Sequence, residues 1–200
     1  MRTAYHIHLA HFFLLLYVLL LSLRKQQERN KKSQNKHGVF PPTLGEVLKI
    51  GNGKDYKHLG KGSIPVYGTG GIMKYVNDFL YNGESVGIGR KGTIDKPFFL
   101  KGKFWTVDTL FYTHSFKKVV PSFIYYVFLQ INWKNYNEAS GVPSLSKATI
   151  EKIDIQIPCL KEQTKIANFL STIDKKIELI ALQIENTQQF KKGLLQQMFV

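Results

Sequence analysis

The sequence lacks the residue patterns on which disulfide frameworks, metal centres and hydrolytic sites depend. Its 200 residues include one cysteine, Cys159, which excludes an intramolecular disulfide and a cysteine-based zinc site. No paired acids followed by Glu-x-Lys are present, as a metal-dependent nuclease would need, and the six histidines lack the spacing of metal ligands. We therefore predict a chain with no metal, no cofactor and no catalytic centre of its own.

Negative charge is also scarce, and this shortage favours a polyanionic partner. The chain carries 28 Lys and Arg against 14 Asp and Glu, which gives a formal net charge of +14. Residues 1–43 and 44–158 each contribute a net charge of +6, and residues 159–200 contribute +2. An excess of this size is typical of proteins that bind nucleic acid or an acidic membrane surface.

A hydrophobic run long enough to cross a bilayer is missing too. Residues 12–23 contain one polar residue, Ser22, and extending the run back to Ile7 gives 17 residues with two histidines inside, whereas a span needs about 20. No small-residue cleavage signature follows, which argues against a removable signal peptide. Two interpretations stay open, a membrane-associated leader and an incidental stretch foreign to the domain. Because the basic residues follow the run, both predict that the rest of the chain is cytoplasmic.

The pattern of residues 44–158 predicts a β-rich domain. This zone holds 14 of the 16 glycines, and short aromatic and β-branched runs alternate with Gly, Asn and Asp, as in short strands joined by tight turns. Pro121–Ile131 differs, because a proline followed by a long apolar run predicts a buried helix. Ile153, Ile155 and Ile157 alternate with polar residues, which predicts a closing strand. The other predicted strands are Ser63–Tyr67, Phe79–Tyr81, Ser85–Ile88, Phe98–Leu100, Phe104–Val107 and Leu110–Tyr112.

The last forty residues have the period of a long helix. Mostly apolar residues recur at intervals of four and three from Ile166 to Met198, which is a heptad seam. A helix over residues 161–199 would be roughly 58 Å long at 1.5 Å per residue, too long to bury its stripe against a compact domain of this size. We therefore predict that it pairs with another long helix. The apolar seam positions are Ile166, Leu170, Ile173, Ile177, Ile180, Ile184, Leu194 and Met198, and Thr187 and Lys191 are polar.

Two glycine-rich segments have more than one interpretation. Residues 87–92 (GIGRKG) match the dinucleotide fingerprint G-x-G-x-x-G, but a turn-like sequence stopped by Pro97 follows instead of a helix, which disfavours a cofactor site. The same segment is compatible with a turn that presents Arg90 and Lys91 to phosphate and with a solvated hairpin tip. Residues 64–72 (IPVYGTGGI) place a strand before a glycine loop, which suits either close approach to a ligand or a sharp bend.

Several segments, taken in order, resemble a known family. They are IPVYGTGGI at 64–72, GRKGTI at 89–94, SGVPSLSKATIEKIDIQIP at 140–158 and EQTKIANFLSTIDKKIELI at 162–180, followed by KKGLLQQMF. Over residues 44–200 the chain resembles the specificity subunit of type I restriction–modification systems. The usual subunit has two target-recognition domains, each followed by a long helix. This chain has one of each, and so resembles a half-subunit or a C-terminal fragment.

The residue patterns and the resemblance together imply an α+β fold in three parts. Residues 1–43 form a hydrophobic leader and basic linker, residues 44–158 a β-rich DNA target-recognition domain with short helices, and residues 159–200 one long coiled-coil helix. The resemblance implies a specificity subunit that is not an enzyme, but binds double-stranded DNA and recruits methylation and restriction subunits. It also implies that the helix packs antiparallel against that of a second specificity half, or of a second copy of this chain.

Chemistry and position within the family motifs select the candidate DNA contacts. Lys and Arg would neutralise phosphates, and hydroxyl and aromatic side chains would read base edges. The alternative is a membrane-anchored basic coiled-coil protein that binds anionic lipid. The candidate DNA-binding residues are Tyr67, Thr69, Lys74, Arg90, Lys91, Thr93 and Lys147.

Overall fold

In the computed structural model, which describes residues 41–198, short strands and helices precede one long helix. The strands are β1 (Lys49–Asn52), β2 (Lys61–Gly68), β3 (Gly71–Val76), β4 (Tyr81–Asn82), β5 (Ser85–Gly89), β6 (Phe98–Leu100), β7 (Lys103–Thr106) and β8 (Leu110–His114). The α-helices are α1 (Leu44–Val47), α2 (Pro121–Gln130), α3 (Lys147–Glu151) and α4 (Leu160–Met198), and a 3-10 turn covers Trp133–Tyr136. This order confirms the predicted α+β fold with a long C-terminal helix.

The first of two four-stranded sheets has the order β1-β8-β5-β6, with antiparallel neighbours throughout. Every residue of β5 is buried. Its polar side chain, Ser85, donates its hydroxyl hydrogen to the backbone oxygen of Thr113 at 2.6 Å. The Thr113 hydroxyl in turn accepts the backbone N–H of Val86 at 2.8 Å. Because these buried polar groups are paired, the desolvation penalty of an unsatisfied group is avoided.

The second sheet has the order β3-β2-β7-β4 and includes a parallel pair, β2 with β7. The base of the β2–β3 hairpin belongs to a buried cluster that consists of Val66, Val76, Trp105, Val107 and Leu110. Nearer the hairpin tip, residues 72–75 of β3 are all exposed. Successive strand residues point to opposite faces, so this hairpin presents side chains on both sides.

The predicted helix after the sheets is present as α2. Pro121 occupies its first turn, where the missing N–H would have no helical partner anyway. Ile124 and Phe128 are fully buried. The indole N–H of Trp133 donates to the backbone oxygen of Phe128 at 2.8 Å and fixes the following 3-10 turn. With its buried side so anchored, α2 makes contact with α4.

A buried amide joins α4 to the domain. The Gln163 side chain is fully buried, and its carbonyl oxygen accepts the backbone N–H of Val120 at 2.8 Å. Its amide group donates to the backbone oxygen of Lys118 at 3.0 Å and to that of Pro158 at 2.9 Å. The three backbone groups belong to the segment before α2 and the segment before α4. This one side chain therefore ties the start of the long helix to the β-rich domain.

A second polar contact lies farther along the same interface. The Tyr126 hydroxyl of α2 donates to a carboxylate oxygen of Asp174 on α4 at 2.7 Å. Burial and this hydrogen bond raise the pKa of Tyr126. Ala167, which is buried, lies on the same side of α4 as Gln163 and Asp174, at helical spacing. The domain-facing stripe of α4 is therefore polar and small, and it differs from the heptad seam.

Beyond these contacts, α4 continues from Ile177 to Met198 with every residue exposed except the half-buried Gly193. This segment is roughly 33 Å long at 1.5 Å per residue. At about 100° per residue, seam positions such as Ile180 and Ile184 point roughly 90° around the helix from the domain-facing stripe. The seam therefore stays open to a partner along this segment.

Local sequence pattern predicts most of the strands and the long helix correctly. The predicted strands between Ser63 and Tyr112 are present with shifts of one or two residues, and α4 spans 39 residues as predicted. β1 and β3 are not predicted from the sequence pattern, and both flank glycine-rich turns. The predicted closing strand over residues 153–157 is wrong, since Asp154 alone makes a bridge there. Its alternation still marks burial, because Ile153 and Ile155 are buried.

Residues 41–42 and 154–156 fall in a unit apart from the rest. Within it, the backbone N–H of Ile155 donates to the oxygen of Pro42 at 3.0 Å. The hydrophobic leader lies outside the described residues. Among the helices of residues 41–198, none is both long enough and apolar enough to cross a membrane. The predicted domain boundaries, after residues 43 and 158, stay predictions.

Replacing Gln163 tests the junction between α4 and the domain. Gln163→Ala leaves three part-buried backbone groups without their partner, so we expect the free energy of unfolding to fall by about 1–3 kcal/mol. Urea unfolding followed by circular dichroism measures this difference. Gln183→Ala, at an exposed position of the same helix, is the matched control and should unfold like the wild type. Equal midpoints for the two variants would show that the amide does not stabilise the junction.

Candidate nucleic-acid interface

A cleft of about 720 Å³ lies between three loops of the domain. One is the tip of the β2–β3 hairpin (residues 68–73), and the others are residues 55–57 and residues 107–109. Its lining combines hydroxyl, carboxylate, amine and apolar groups, the side-chain types that read base edges. These residues are Asp55, Tyr56, Lys57, Thr69, Ile72, Met73, Val107, Asp108 and Thr109, with Gly68, Gly70 and Gly71.

The hairpin tip owes its shape to glycine. Gly68 lies opposite Gly71 in the β2–β3 ladder, which leaves Thr69 and Gly70 as the two turn residues. Gly71 has a φ of +111°, a backbone conformation that residues with a Cβ rarely adopt. The half-buried Thr69 is thereby held at the edge of the cleft.

The turn at residues 107–109 connects the cleft to the rest of the domain. The backbone N–H of Val107 donates to the oxygen of Tyr67 at 3.0 Å, and that of Leu110 donates back to Val107 at 2.9 Å. Position 53 must be glycine for this packing, because a Cβ on Gly53 would lie 1.8 Å from the Val107 oxygen. Hydrogen bonds and close backbone packing therefore fix the turn on two sides.

The loop that carries Arg90 and Lys91 is attached to the same turn. Their backbone N–H groups both donate to the oxygen of Thr109, at 2.8 and 3.3 Å. The Arg90 guanidinium donates to the backbone oxygen of Asp108 at 3.4 Å and lies 5.9 Å from the centre of the Phe111 ring. No helix begins after Gly92, where the chain takes a φ of +94° and runs on towards β6. The structure thus gives the segment a turn and not the helix that a dinucleotide site requires.

Unpaired positive charge surrounds the cleft. Lys57, Lys74, Arg90 and Lys91 are exposed, and the ion pairs found among residues 41–198 all involve other lysines. The Lys74 ammonium lies 5.4 Å from the centre of the Tyr56 ring, a cation–π distance. Cationic groups without a carboxylate partner are available to neutralise phosphates.

The other candidate residues lie at different places. Tyr67 is half-buried on β2, with its ring 5.7 Å from Phe98, and burial together with the neighbouring Tyr75 raises its pKa. Thr93 is half-buried in the loop before β6. Lys147 begins α3, where its ammonium is 3.9 Å from the Glu151 carboxylate. The structure therefore groups Thr69, Arg90 and Lys91 around the 107–109 turn, and Lys147 follows Leu145, whose backbone N–H donates to the Arg90 oxygen at 2.9 Å.

Residues that the sequence analysis does not single out complete the cleft. Ile72 and Met73 are exposed on β3, and Asp108 and Lys57 come from the two flanking loops. The β-branched and aromatic run after Gly71 is a strand signal, although the glycine pair before it reads as the end of a loop. The approach of the two flanking loops is a tertiary contact, for which one sequence carries no local signal.

The seam residues of α4 divide into two groups. Ile166, Leu170 and Ile173 are half-buried, near the segment that contacts the domain. The exposed seam residues are Ile177, Ile180, Ile184, Leu194 and Met198. The second group forms an exposed apolar stripe, which Thr187 and Lys191 interrupt between Ile184 and Leu194, and exposed apolar patches mark interaction surfaces.

The sequence matches one protein family over most of its length. The family described as type I restriction modification DNA specificity domain matches residues 41–187. The type I restriction enzyme MjaVIII specificity subunit of Methanocaldococcus jannaschii is 32% identical over 134 residues, which cover 64% of this chain and 29% of that protein. The type I restriction enzyme EcoprrI specificity subunit of Escherichia coli is 23% identical over 166 residues, or 78% of this chain and 38% of that protein. The chain thus spans about a third of the length of these curated relatives.

Solved structures share the fold at low sequence identity. The S subunit of a type I restriction–modification system from M. genitalium has a TM-score of 0.62 at 15% identity, over 74% of this chain and 42% of that chain. The HsdS subunit from Thermoanaerobacter tengcongensis has a TM-score of 0.54 at 14% identity, over 80% of this chain and 49% of that chain. The resemblance seen in the sequence motifs is confirmed, and the chain belongs to the type I restriction modification DNA specificity domain family.

Proposed function

We propose that this chain is one recognition half of a type I specificity subunit and binds duplex DNA through the cleft and the Arg90–Lys91 loop. Family membership makes it a specificity component and not a catalytic one. The observation that carries the proposal is the set of exposed, unpaired cations around a cleft lined by hydroxyl, carboxylate and apolar groups. In this proposal residues 44–158 recognise DNA and residues 159–200 act as a spacer helix.

The proposed interface divides phosphate contact from base reading. Lys57, Lys74, Arg90 and Lys91 would neutralise phosphates, which supplies affinity without sequence information. Inside the cleft, the Thr69 hydroxyl and the Asp108 carboxylate are suited to hydrogen bonds with base edges, and Asp accepts from the amino group of cytosine. The apolar Met73 and Ile72 suit the thymine methyl group.

The remaining candidates have more indirect roles in this proposal. Tyr67 would position the cleft, because its ring packs against Phe98 and its backbone oxygen holds the 107–109 turn. Thr93 would contact phosphate beside Lys91. Lys147 would contact phosphate from the start of α3, just after the segment that pairs with the Arg90–Lys91 loop.

The open seam of α4 supports a role in assembly. We propose that it pairs antiparallel with the helix of a second specificity half or, when the chain is alone, with that of a second copy. Identical seams are self-complementary under two-fold symmetry. The paired helices would hold two recognition domains at a fixed distance, which favours a bipartite target. Methylation and restriction subunits would then be recruited to this DNA-bound unit in the cytoplasm.

Salt dependence tests whether the Arg90–Lys91 loop contacts phosphate. Neutralising about six phosphates gives a slope of about −5 for log K against log salt concentration. Arg90→Ala with Lys91→Ala removes two charges, so we expect a slope of about −3. Fluorescence anisotropy with a labelled duplex measures it.

Lys175→Ala with Lys176→Ala removes the same charge from α4, where both lysines are exposed, and should leave the slope near the wild-type value. An unchanged slope for the loop variant would remove that loop from the interface. Complete displacement of DNA by vesicles containing phosphatidylserine would favour the lipid-binding alternative.

The hairpin tip is tested by removing one hydroxyl without changing charge. Thr69→Val should weaken binding to a duplex selected from a random pool by about 1 kcal/mol relative to random DNA. The salt slope should not change, because no cation is lost. Thr164→Val on α4 is the control and should keep full discrimination. If Thr69→Val discriminates as well as the wild type, its hydroxyl does not read a base.

Self-association through the seam is tested by charge insertion on opposite faces of α4. Ile180→Asp with Ile184→Asp buries charges in any seam pairing, at a cost of several kcal/mol, so we expect a monomer in sedimentation equilibrium. Leu179→Asp with Leu182→Asp is the control, because these side chains are 61% and 54% exposed and lie roughly opposite the seam. It should remain dimeric. A wild-type monomer at tens of micromolar would contradict the proposed self-pairing.

A further inference from the structure

A second basic surface lies at the end of β8 remote from the cleft. Lys49 on β1 lies directly opposite His114 in the antiparallel β1–β8 ladder. Helix α3, which begins with Lys147, packs against β1. Both lysines are exposed and His114 is half-buried. We call Lys49, His114 and Lys147 the β8-end site.

Aromatic neighbours hold the His114 ring in place. The ring centroid lies 5.6 Å from that of Tyr112 and 6.2 Å from that of Tyr81. Its Nδ1 atom is 2.8 Å from the Ser115 hydroxyl. The other ring nitrogen, Nε2, has no hydrogen-bond partner within residues 41–198. One nitrogen of an oriented imidazole is therefore available to a ligand.

The surroundings of His114 are short of negative charge. The rings packed against His114, Tyr81 from β4 and Tyr112 from β8, bring phenol groups and no carboxylate. The charged groups are Lys49 from β1 and Lys147 from α3, whose carboxylate neighbour is Glu151 at 3.9 Å. Burial lowers the pKa of His114, and the charges of Lys147 and Lys49 lower it further. An imidazolium at position 114 would be repelled by these two lysines, and a bound anion would offset that repulsion.

We propose that the β8-end site binds a phosphodiester of the DNA backbone, as a further contact beyond that of the Arg90–Lys91 loop. The inference rests on the DNA-binding function proposed above. Two ammonium groups and an imidazolium provide the charge-assisted donors that phosphate oxygens accept. From Leu110 beside the 107–109 turn to His114, β8 spans about 14 Å. This distance equals the rise of about four nucleotides along one strand, so both ends of β8 can engage one duplex.

The proposed site makes DNA binding depend on pH in a defined direction. A phosphate favours the protonated imidazole, so binding raises the pKa of His114. Between the free and bound pKa values, log K falls by up to one for each pH unit as pH rises, and it is level outside that window. We expect the wild type to gain up to about ten-fold more affinity than His114→Gln between pH 7.5 and pH 5.5, the limit set by a pKa rise of about one unit.

Nuclear magnetic resonance of the full chain with labelled histidine tests the site. The His114 resonances are titrated with pH in three states: the chain alone, with inorganic phosphate, and with a duplex selected from a random pool. We expect the duplex to raise the His114 pKa by about one pH unit. Lys49→Gln should reduce this rise, whereas Lys175→Gln, at an exposed position on α4, should not.

The outcomes separate this site from the proposed function. A duplex that binds but leaves the His114 pKa unchanged would overturn the β8-end site and leave DNA recognition by the cleft intact. A pKa raised by inorganic phosphate but not by duplex would likewise overturn the backbone contact and assign the site to a free anion. A wild-type chain that binds no duplex at all would contradict the proposed function, and the site with it.

Discussion

The placement of the long helix depends on one buried amide. Gln163 satisfies backbone groups of two segments, the one before α2 and the one before α4, and no other residue type supplies one acceptor and two donors at that reach. Because all three hydrogen bonds are made, the polar side chain is buried without an unsatisfied group. The direction in which α4 leaves the domain is fixed at its first turns, and the exposed segment continues in that direction because the helix is unbroken to Met198.

The long helix carries two stripes. A polar stripe faces the domain, and an apolar stripe, the heptad seam, does not. The stripe of Gln163, Ala167 and Asp174 belongs to the domain, and the heptad seam lies roughly a quarter turn away around the helix. Polar contacts hold the domain-facing stripe against the domain, whereas the apolar seam from Ile177 onwards is left exposed. If docking on the domain and the proposed helix pairing used the same stripe, docking would bury the surface that another helix needs.

The candidate interface depends on the turn at residues 107–109 in the same way as the helix depends on Gln163. This turn holds the hairpin through Tyr67, and it holds the Arg90–Lys91 loop through the Thr109 oxygen. Flexible lysine and arginine side chains then extend from a backbone that is itself well tied. Charge supplies affinity for a duplex, and the fixed backbone determines which groups meet the base edges. A second cationic surface at the other end of β8 would extend this footprint along the same strand.

The sequence by itself determined the helix, the glycine turns and most strands, because these follow from local periodicity and backbone preference. The four-three spacing from Ile166 to Met198 fixes helix length whatever the helix packs against. The candidate cleft could not be predicted from the sequence, because it joins Lys57, Thr69 and Asp108 from loops far apart in sequence. Only the tertiary structure decided that Lys49 lies opposite His114. Strand pairing made that decision, because register across β1 and β8 is set by non-local hydrogen bonds that no single segment encodes.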